Sequence, residues 1–179
     1  MTEGDAPAGR ARGAVRILES DRGVRLRPAA LDEYERVALP WYQDPEVLQF
    51  SEGGEPPYDR ARLRRMFEVL SAKGELYLVE VREGGAWRPV GDAALLPDDV
   101  PIVIGRVDDR SRGIGAEALR LLVARARELG WTELHVARIE PDNVRSLRMF
   151  RRAGFVERPV APGGERAGVA MTLALPRDG

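Results

Sequence analysis

Pro101-Ile102-Val103-Ile104-Gly105-Arg106-Val107-Asp108-Asp109-Arg110-Ser111-Arg112-Gly113-Ile114-Gly115-Ala116 is the stretch on which the reading of this chain turns. It opens on a run, Pro101 to Gly105, that is apolar almost throughout, as expected for a strand buried on both faces. An arginine- and glycine-rich loop follows, and then a helix with apolar positions at Leu119, Leu122, Val123, Ala126 and Leu129, closed by Gly130. A strand that turns through glycines into a helix brings unpaired backbone N–H groups and the positive end of the helix dipole to one point. Such a point suits phosphate, because glycine lets the backbone approach the anion closely. Arg110 and Arg112 add charge to the same end.

Downstream, Leu134 to Ile139 reads as a second buried strand, and Pro141-Asp142-Asn143 starts a helix that Gly154 closes before Phe155. Val169 to Leu175 alternates as a final strand. Upstream, Gly23 to Pro28 alternates apolar and charged residues as a half-buried strand. Leu31 to Leu39 is a helix ended by Pro40, and Pro45 to Phe50 a short one with Asp44 as its cap. Asp59 to Ala72 has helical spacing at Leu63, Met66, Phe67 and Leu70, with Gly74 as its stop. Leu76 to Arg82 and Pro89 to Leu96 flank Glu83-Gly84-Gly85-Ala86, the turn of an antiparallel hairpin. Residues 1–22 read as a flexible tail, residues 23–179 as one domain, and Pro159 to Gly168 as a linker-like stretch inside it. The expected fold is α/β of the α+β type, a mixed, mostly antiparallel twisted sheet flanked by helices.

Bulk properties exclude several classes. A chain of 179 residues buries one self-sufficient core. Its 44% apolar and 32% charged residues are globular values, and no apolar run approaches the roughly 20 residues of a spanning helix. With no secretory signal pattern at the start, a cytoplasmic protein with no membrane partner is expected. There is no cysteine, so disulfides, thiolate nucleophiles and cysteine-based metal sites are ruled out. Lys73 is the only lysine, and 28 basic residues face 29 acids, so the basic excess of a nucleic-acid-binding domain is missing. His135 stands alone on a predicted strand, where packing accounts for it and no second histidine helps it to hold a metal.

Two nucleotide motifs fail against the opening stretch. A P-loop needs Gly-Lys followed by Ser or Thr at the helix start, and Lys73 lies elsewhere. A Rossmann fingerprint is met only in part, with Glu117-Ala118 at the third small position and Glu140 ending the next strand. The antiparallel strands before the loop also oppose a parallel dinucleotide fold. Arg110, Gly113 and Gly115 instead satisfy Gln or Arg, two residues, Gly, one residue, Gly or Ala. With the later Asn143-Val144-Arg145-Ser146 and Ala153-Gly154-Phe155, this order and spacing resemble the GNAT superfamily of N-acetyltransferases.

The resemblance implies a single GNAT-like domain whose central strands, Pro101 to Val107 and Leu134 to Ile139, splay apart to admit the pantetheine arm of acetyl-CoA. It places the diphosphate on the amides of Arg112, Gly113, Ile114, Gly115 and Ala116 beside Arg110. It sets Asn143, Ser146 and Phe150 against the coenzyme, with helix capping as the alternative role of Asn143. An N–H near Ile104 or Gly105, freed by the splay, would polarise the thioester carbonyl. Phe150 occupies the position at which many members carry a tyrosine acid, which leaves water, Ser146 or Tyr58 to protonate the thiolate.

Acetyl transfer also needs a base, and Glu140, Asp92, Asp98 and Asp99 are the carboxylates near strand ends. Trp41, Tyr42, Phe50 and Tyr58, interleaved with Asp44, Glu46, Glu52, Glu55 and Asp59, suit a cationic amine acceptor such as an aminoglycoside, polyamine or peptide N-terminus. The same pattern is also that of core aromatics beneath a solvated acidic face. The function expected is acetyl transfer to a primary amine without a metal, by a monomer or homodimer. The competing classes are a non-catalytic acyl-CoA-binding or regulatory protein and a nicotinamide-binding domain.

Overall fold

The computed structural model describes residues 14–52, 56–159 and 168–176. Residues 1–13 of the expected tail, Glu55, the side chain of Glu52 and residues 160–167 lie outside that description. Within the rest of the expected tail, strand β1 (Leu18–Glu19) pairs antiparallel with β2 (Val24–Arg27), Leu18 opposite Leu26. Ordered structure therefore begins ahead of Gly23. Two residues are too few to show alternation in a sequence, and it is the neighbouring strand that fixes them.

Helix α1 (Leu31–Ala38), a 3-10 turn at Trp41–Gln43, α2 (Pro45–Glu52) and α3 (Arg60–Lys73) come next. Side-chain caps set two of these starts. Asp44 Oδ1 accepts from the amides of Glu46 and Val47 at 3.0 and 3.1 Å, and Asp59 Oδ1 accepts from Arg62 N at 2.7 Å. The hairpin of β3 (Glu75–Glu83) and β4 (Ala86–Leu95) turns at Gly84 and Gly85, whose φ angles of 55° and 85° match the twist of the paired strands. Its register slips so that Val90 is extra, next to Pro89, which has no N–H to give the ladder.

Strand β5 (Ile102–Ile104) completes a five-stranded antiparallel sheet in the order β1-β2-β3-β4-β5. A 3-10 turn at Val107–Asp109 leads into α4 (Ile114–Glu128), β6 (Glu133–Ile139), α5 (Val144–Arg152), β7 (Val156–Arg158) and β8 (Val169–Ala174). The last three strands form a second antiparallel sheet in the order β6-β8-β7.

Alternation along the strands divides the interior in two. Tyr77, Val79, Ala93 and Leu95 face α4, α5 and the second sheet, in a core with Leu119, Leu122, Leu134, Phe150 and Met171. Leu76, Leu78, Ala94 and Leu96 face the other way, onto Tyr34, Trp41, Tyr42, Leu63 and Phe67 of the helices between β2 and β3. Tyr34 keeps its hydroxyl satisfied there by donating to Leu76 O at 2.9 Å.

No ladder joins β5 to β6 among the described residues, so the central strands are splayed, and the sheet is interrupted where the sequence places its buried strand. Ile102, Val103 and Ile104 are accordingly half-buried rather than enclosed, because β5 is the edge of its sheet. Across the gap, Asp99 Oδ1 accepts from Val100 N and from Ala137 N, each at 2.9 Å, tying the turn before β5 to β6.

Candidate active site

The amides at the start of α4 are gathered by backbone conformation. Ser111 and Gly113 have φ of 61° and 80°, and Gly113 is the N-cap of the helix. Apart from its chain neighbours no atom lies within 4 Å of where a Cβ on Gly113 would stand, so the glycine itself faces open space. A Cβ on Gly115 would come within 3.2 Å of Met149 Sδ on α5, which sets that glycine to close helix packing. Alternating conformation at a helix start forms a concave nest of N–H groups, an anion cradle.

The arginines of the motif divide. Arg112 is half exposed and reaches Asp109 at 2.9 Å. Arg110 turns inward and is only 8% exposed. Its guanidinium donates to Ile104 O at 3.2 Å, Gly105 O at 2.6 Å, Asp44 Oδ1 at 3.1 Å and Glu46 Oε2 at 2.7 Å. It is thus a bracket between the end of β5 and the start of α2. Buried Asp109 anchors the same loop to β4 through two bonds from Arg88, at 2.8 and 2.9 Å, and these hold its carboxyl below the usual carboxylate range.

At the splay, the structure separates the two candidate N–H donors. Gly105 N donates to Val90 O at 2.9 Å, and Ala94 N donates to Pro101 O at 3.0 Å. The residues of β5 that bond β4 are therefore the odd-numbered ones, and antiparallel geometry turns the Ile104 N–H toward the gap. Gly105 is needed for another reason: a Cβ there would stand 2.1 Å from the Trp41 ring.

The candidate bases have distinct surroundings. Asp92, on β4 opposite Val103, is 4% exposed, and the Tyr42 hydroxyl donates to its two oxygens at 3.0 and 3.2 Å. Burial without a cationic partner raises its pKa to about 7, against the lowering effect of the Tyr42 bond. Asp99 is the tie described above; burial raises its pKa, and its bonds to the Ala137 and Val100 amides oppose that. Glu140 is paired with Arg138, and Asp98 is exposed.

On α5, Asn143 Oδ1 accepts from Ser146 N at 3.1 Å, so capping is one role of this residue and leaves its Nδ2 hydrogens outside the cap. Ser146 is half-buried in the first turn. Phe150 is buried edge-on to Phe155, with ring centres 5.1 Å apart, and belongs to the main core.

Of the aromatics on the acceptor side, Trp41, Tyr42 and Tyr58 are buried and Phe50 is half-buried on α2. Tyr58 lies between Tyr42, ring centres 5.2 Å apart, and the Arg62 guanidinium, 4.1 Å above its ring. The nearby acids are also engaged. Glu46 is shared by Arg110 and Arg145, and Gln49 donates to Asp142 at 3.2 Å, so α2 is tied across the splay to α5 and the loop before it. A cavity of about 530 Å³ opens beside Gly105, with Val37, Pro40, Trp41, Asp44 and Arg106 in its walls. The Tyr42–Asp92 pair escaped the sequence reading because 50 residues separate its members and only the packing of the 3-10 turn on β4 joins them.

The class of site is an interrupted antiparallel sheet with the helix-start amides of α4 at the mouth of the gap. The family model for the acetyltransferase (GNAT) domain matches residues 24–156, and the chain belongs to that family. An L-methionine sulfoximine/L-methionine sulfone acetyltransferase of Pseudomonas paraeruginosa is 32% identical over 111 residues, 56% of this chain and 62% of the relative. The chain thus matches less than two thirds of that relative's length. Among solved structures, a probable GNAT-family acetyltransferase from Chromobacterium violaceum aligns at a TM-score of 0.74 and 16% identity over 97% of this chain and 95% of its own. An aminoglycoside acetyltransferase in complex with coenzyme A aligns at 0.68 and 16% identity, over 84% and 94%. At these identities the solved structures establish the fold. Among the described residues no helix is long and apolar enough to cross a membrane, and no group of three or more His, Asp or Glu is placed to hold a metal.

Proposed function

We propose that the protein transfers acetyl from acetyl-CoA to the primary amine of a small acceptor. The observation that carries this reading is the unpaired outer edge of β5 beside the open cradle at Gly113. The two features fit the two ends of one ligand, the cradle amides of residues 112–116 taking the diphosphate and the β5 edge pairing with the amide-bearing arm. In this reading Arg110 serves as a bracket that fixes the loop, Asn143 Nδ2 reaches the arm, and Phe150 supports α5 from the core.

In the transfer, an N–C bond forms and the C–S bond of the thioester breaks. Ile104 N–H faces the gap and donates to the carbonyl oxygen as negative charge gathers on it. Asp92, one strand inward, receives the amine proton through an intervening water, and its pKa near 7 suits a base at neutral pH. The thiolate takes its proton from water, and a thiol's ordinary pKa of about 8.5 makes a dedicated acid dispensable.

The acceptor is best read as a small molecule with a single amine, of the size and type of an amino acid. Asp44 and Glu46 are already neutralised by Arg110 and Arg145, which removes the free acidic face that a polycation would need. The relative from Pseudomonas paraeruginosa, named for acetylating L-methionine sulfoximine and sulfone, points the same way. The cavity of about 530 Å³ beside Trp41 is within the usual size of a small-molecule site.

The test is release of coenzyme A thiol from acetyl-CoA in the presence of L-methionine sulfone, other amino acids, polyamines, aminoglycosides and short peptides. The chain has no cysteine to contribute background. Release with an amino-acid-type amine is expected. Tight acetyl-CoA binding with no thiol released by any amine would replace the transferase with an acyl-CoA-binding protein. Thermal stabilisation by NAD and none by acetyl-CoA would replace both with a nicotinamide-binding domain.

A further inference from the structure

Helix α5 carries Arg145, Arg148, Arg151 and Arg152 and no acidic residue, in a chain whose formal net charge is -1. At 100° per residue, Arg145, Arg148, Met149 and Arg152 fall on one face, Leu147 and Phe150 on the buried face, and Arg151 to the side. The position of that arginine face is fixed by Met149, whose Sδ would stand 3.2 Å from a Cβ on Gly115 in the first turn of α4. Met149 lies about 60° from Arg152 and about 100° from Arg148 around the helix, so the row flanks the contact of α5 with the start of α4.

The four charges are not equally engaged. Arg145 pairs with Glu46, and Arg151 pairs with Glu157 at 2.5 Å. Arg148 and Arg152 are exposed, and no carboxylate stands within ion-pair distance of either among the described residues. Like charges at i and i+4 repel on a helix surface, a cost that a shared anion removes. Planar guanidinium groups on adjacent turns suit a phosphate in particular, which each can grip through two N–H donors.

We propose that Arg148 and Arg152 form a second phosphate subsite, which takes the 3′-phosphate on the ribose of the coenzyme and selects acetyl-CoA over its dephospho form. The inference rests on the coenzyme reading above and adds a specificity to it. The diphosphate is served by the cradle amides and Arg112; the 3′-phosphate, one ribose away, is the remaining anion of the ligand and needs cations beside the cradle. Among the described residues this face of α5 offers two exposed arginines without a carboxylate partner, beside its contact with α4.

Calorimetric titration of coenzyme A and of dephospho-coenzyme A separates the possibilities. The wild-type protein should bind coenzyme A about tenfold or more tightly than the dephospho form, the scale of a charge-assisted hydrogen bond or two. The double variant Arg148→Gln/Arg152→Gln should lose that factor for coenzyme A and leave the affinity for the dephospho form unchanged. Arg151→Gln, on the same helix but off the face, should change neither. Equal wild-type affinities, a parallel loss for both ligands in the double variant, or an equal effect of Arg151→Gln would overturn the subsite. If the wild-type protein bound neither nucleotide, the coenzyme reading itself would fall and the subsite with it. All three side chains are exposed, so an unchanged Tm is expected to accompany each variant.

Discussion

At Asp92, the base of the proposed transfer, two demands oppose each other, since burial favours the protonated carboxyl and proton abstraction needs the carboxylate. A pKa near 7, raised from the ordinary 3.8, places the balance at neutrality. Activity should therefore rise with pH through about 7, and Asp92→Asn should abolish that limb and lower kcat by about 10²–10⁴. Tyr42→Phe removes a bond to the charged form, so the limb should move to higher pH, as a pH–rate profile will show. Stability runs the other way. Between the unfolded and folded pKa values the folded state binds the extra proton, so stability should fall as pH rises from about 4 to 7, and urea titrations of Asp92→Asn should lack that part of the slope. Gly113 gives a second residue-scale expectation. Its φ of 80° is left-handed, so Gly113→Ala should cost about 1–2 kcal/mol and put a methyl group into the open space that the glycine faces. A rise of about tenfold or more in the Kd for acetyl-CoA is expected by calorimetry, and an unchanged Kd would remove the cradle from the site. Asp92 was one carboxylate among four in the sequence, because a base is chosen by its surroundings, and neither its burial nor Tyr42 lies nearby in the chain.

Elements whose chemistry is local were legible. Asp44 and Asn143 cap the helices they precede, Gly84-Gly85 turns the hairpin, and Gly113 starts α4. What the sequence withheld depended on distant partners. The strands β1 and β7, two and three residues long, exist because β2 and β8 pair with them. Arg110 looks like a phosphate ligand in the motif, yet four acceptors from β5 and the start of α2 draw it inward. Trp41, Tyr42 and Tyr58 match an acceptor lining in sequence and are buried in the second core, and of the three Trp41 alone also lines the cavity beside Gly105. The attachment of α4 is likewise nonlocal. Arg125 reaches across to Glu75 at 2.7 Å and to Ala14 O at 3.0 Å, while Tyr77 donates to the same carboxylate at 2.5 Å. Both side chains of the ion pair are 7% exposed. Arg125→Ala should then cost about 3–5 kcal/mol in a denaturation experiment, since it strands Glu75 without its cation. Arg127→Ala on the exposed face of the same helix should cost under about 1 kcal/mol.

For the molecule as a whole, the division into two sheets is the main departure from an ordinary α+β domain. The splay followed from the family resemblance rather than from any pattern in β5 or β6. Periodicity reports which residues are apolar and is silent on which strands bond, so a half-buried edge read as a strand enclosed on both faces. That edge has a consequence for the protein in solution. A strand whose N–H and C=O groups lack a neighbour is a template for another chain, and apolar Ile102, Val103 and Ile104 are the residues that present it. The ties of α2 to α5, through Glu46 and Gln49, stand guard over the gap. In the proposed reading acetyl-CoA lies along the same edge and should act as a chemical chaperone. Light scattering on warming is expected to show slower aggregation with the coenzyme than without it, and Glu46→Gln is expected to aggregate faster than the wild type in its absence.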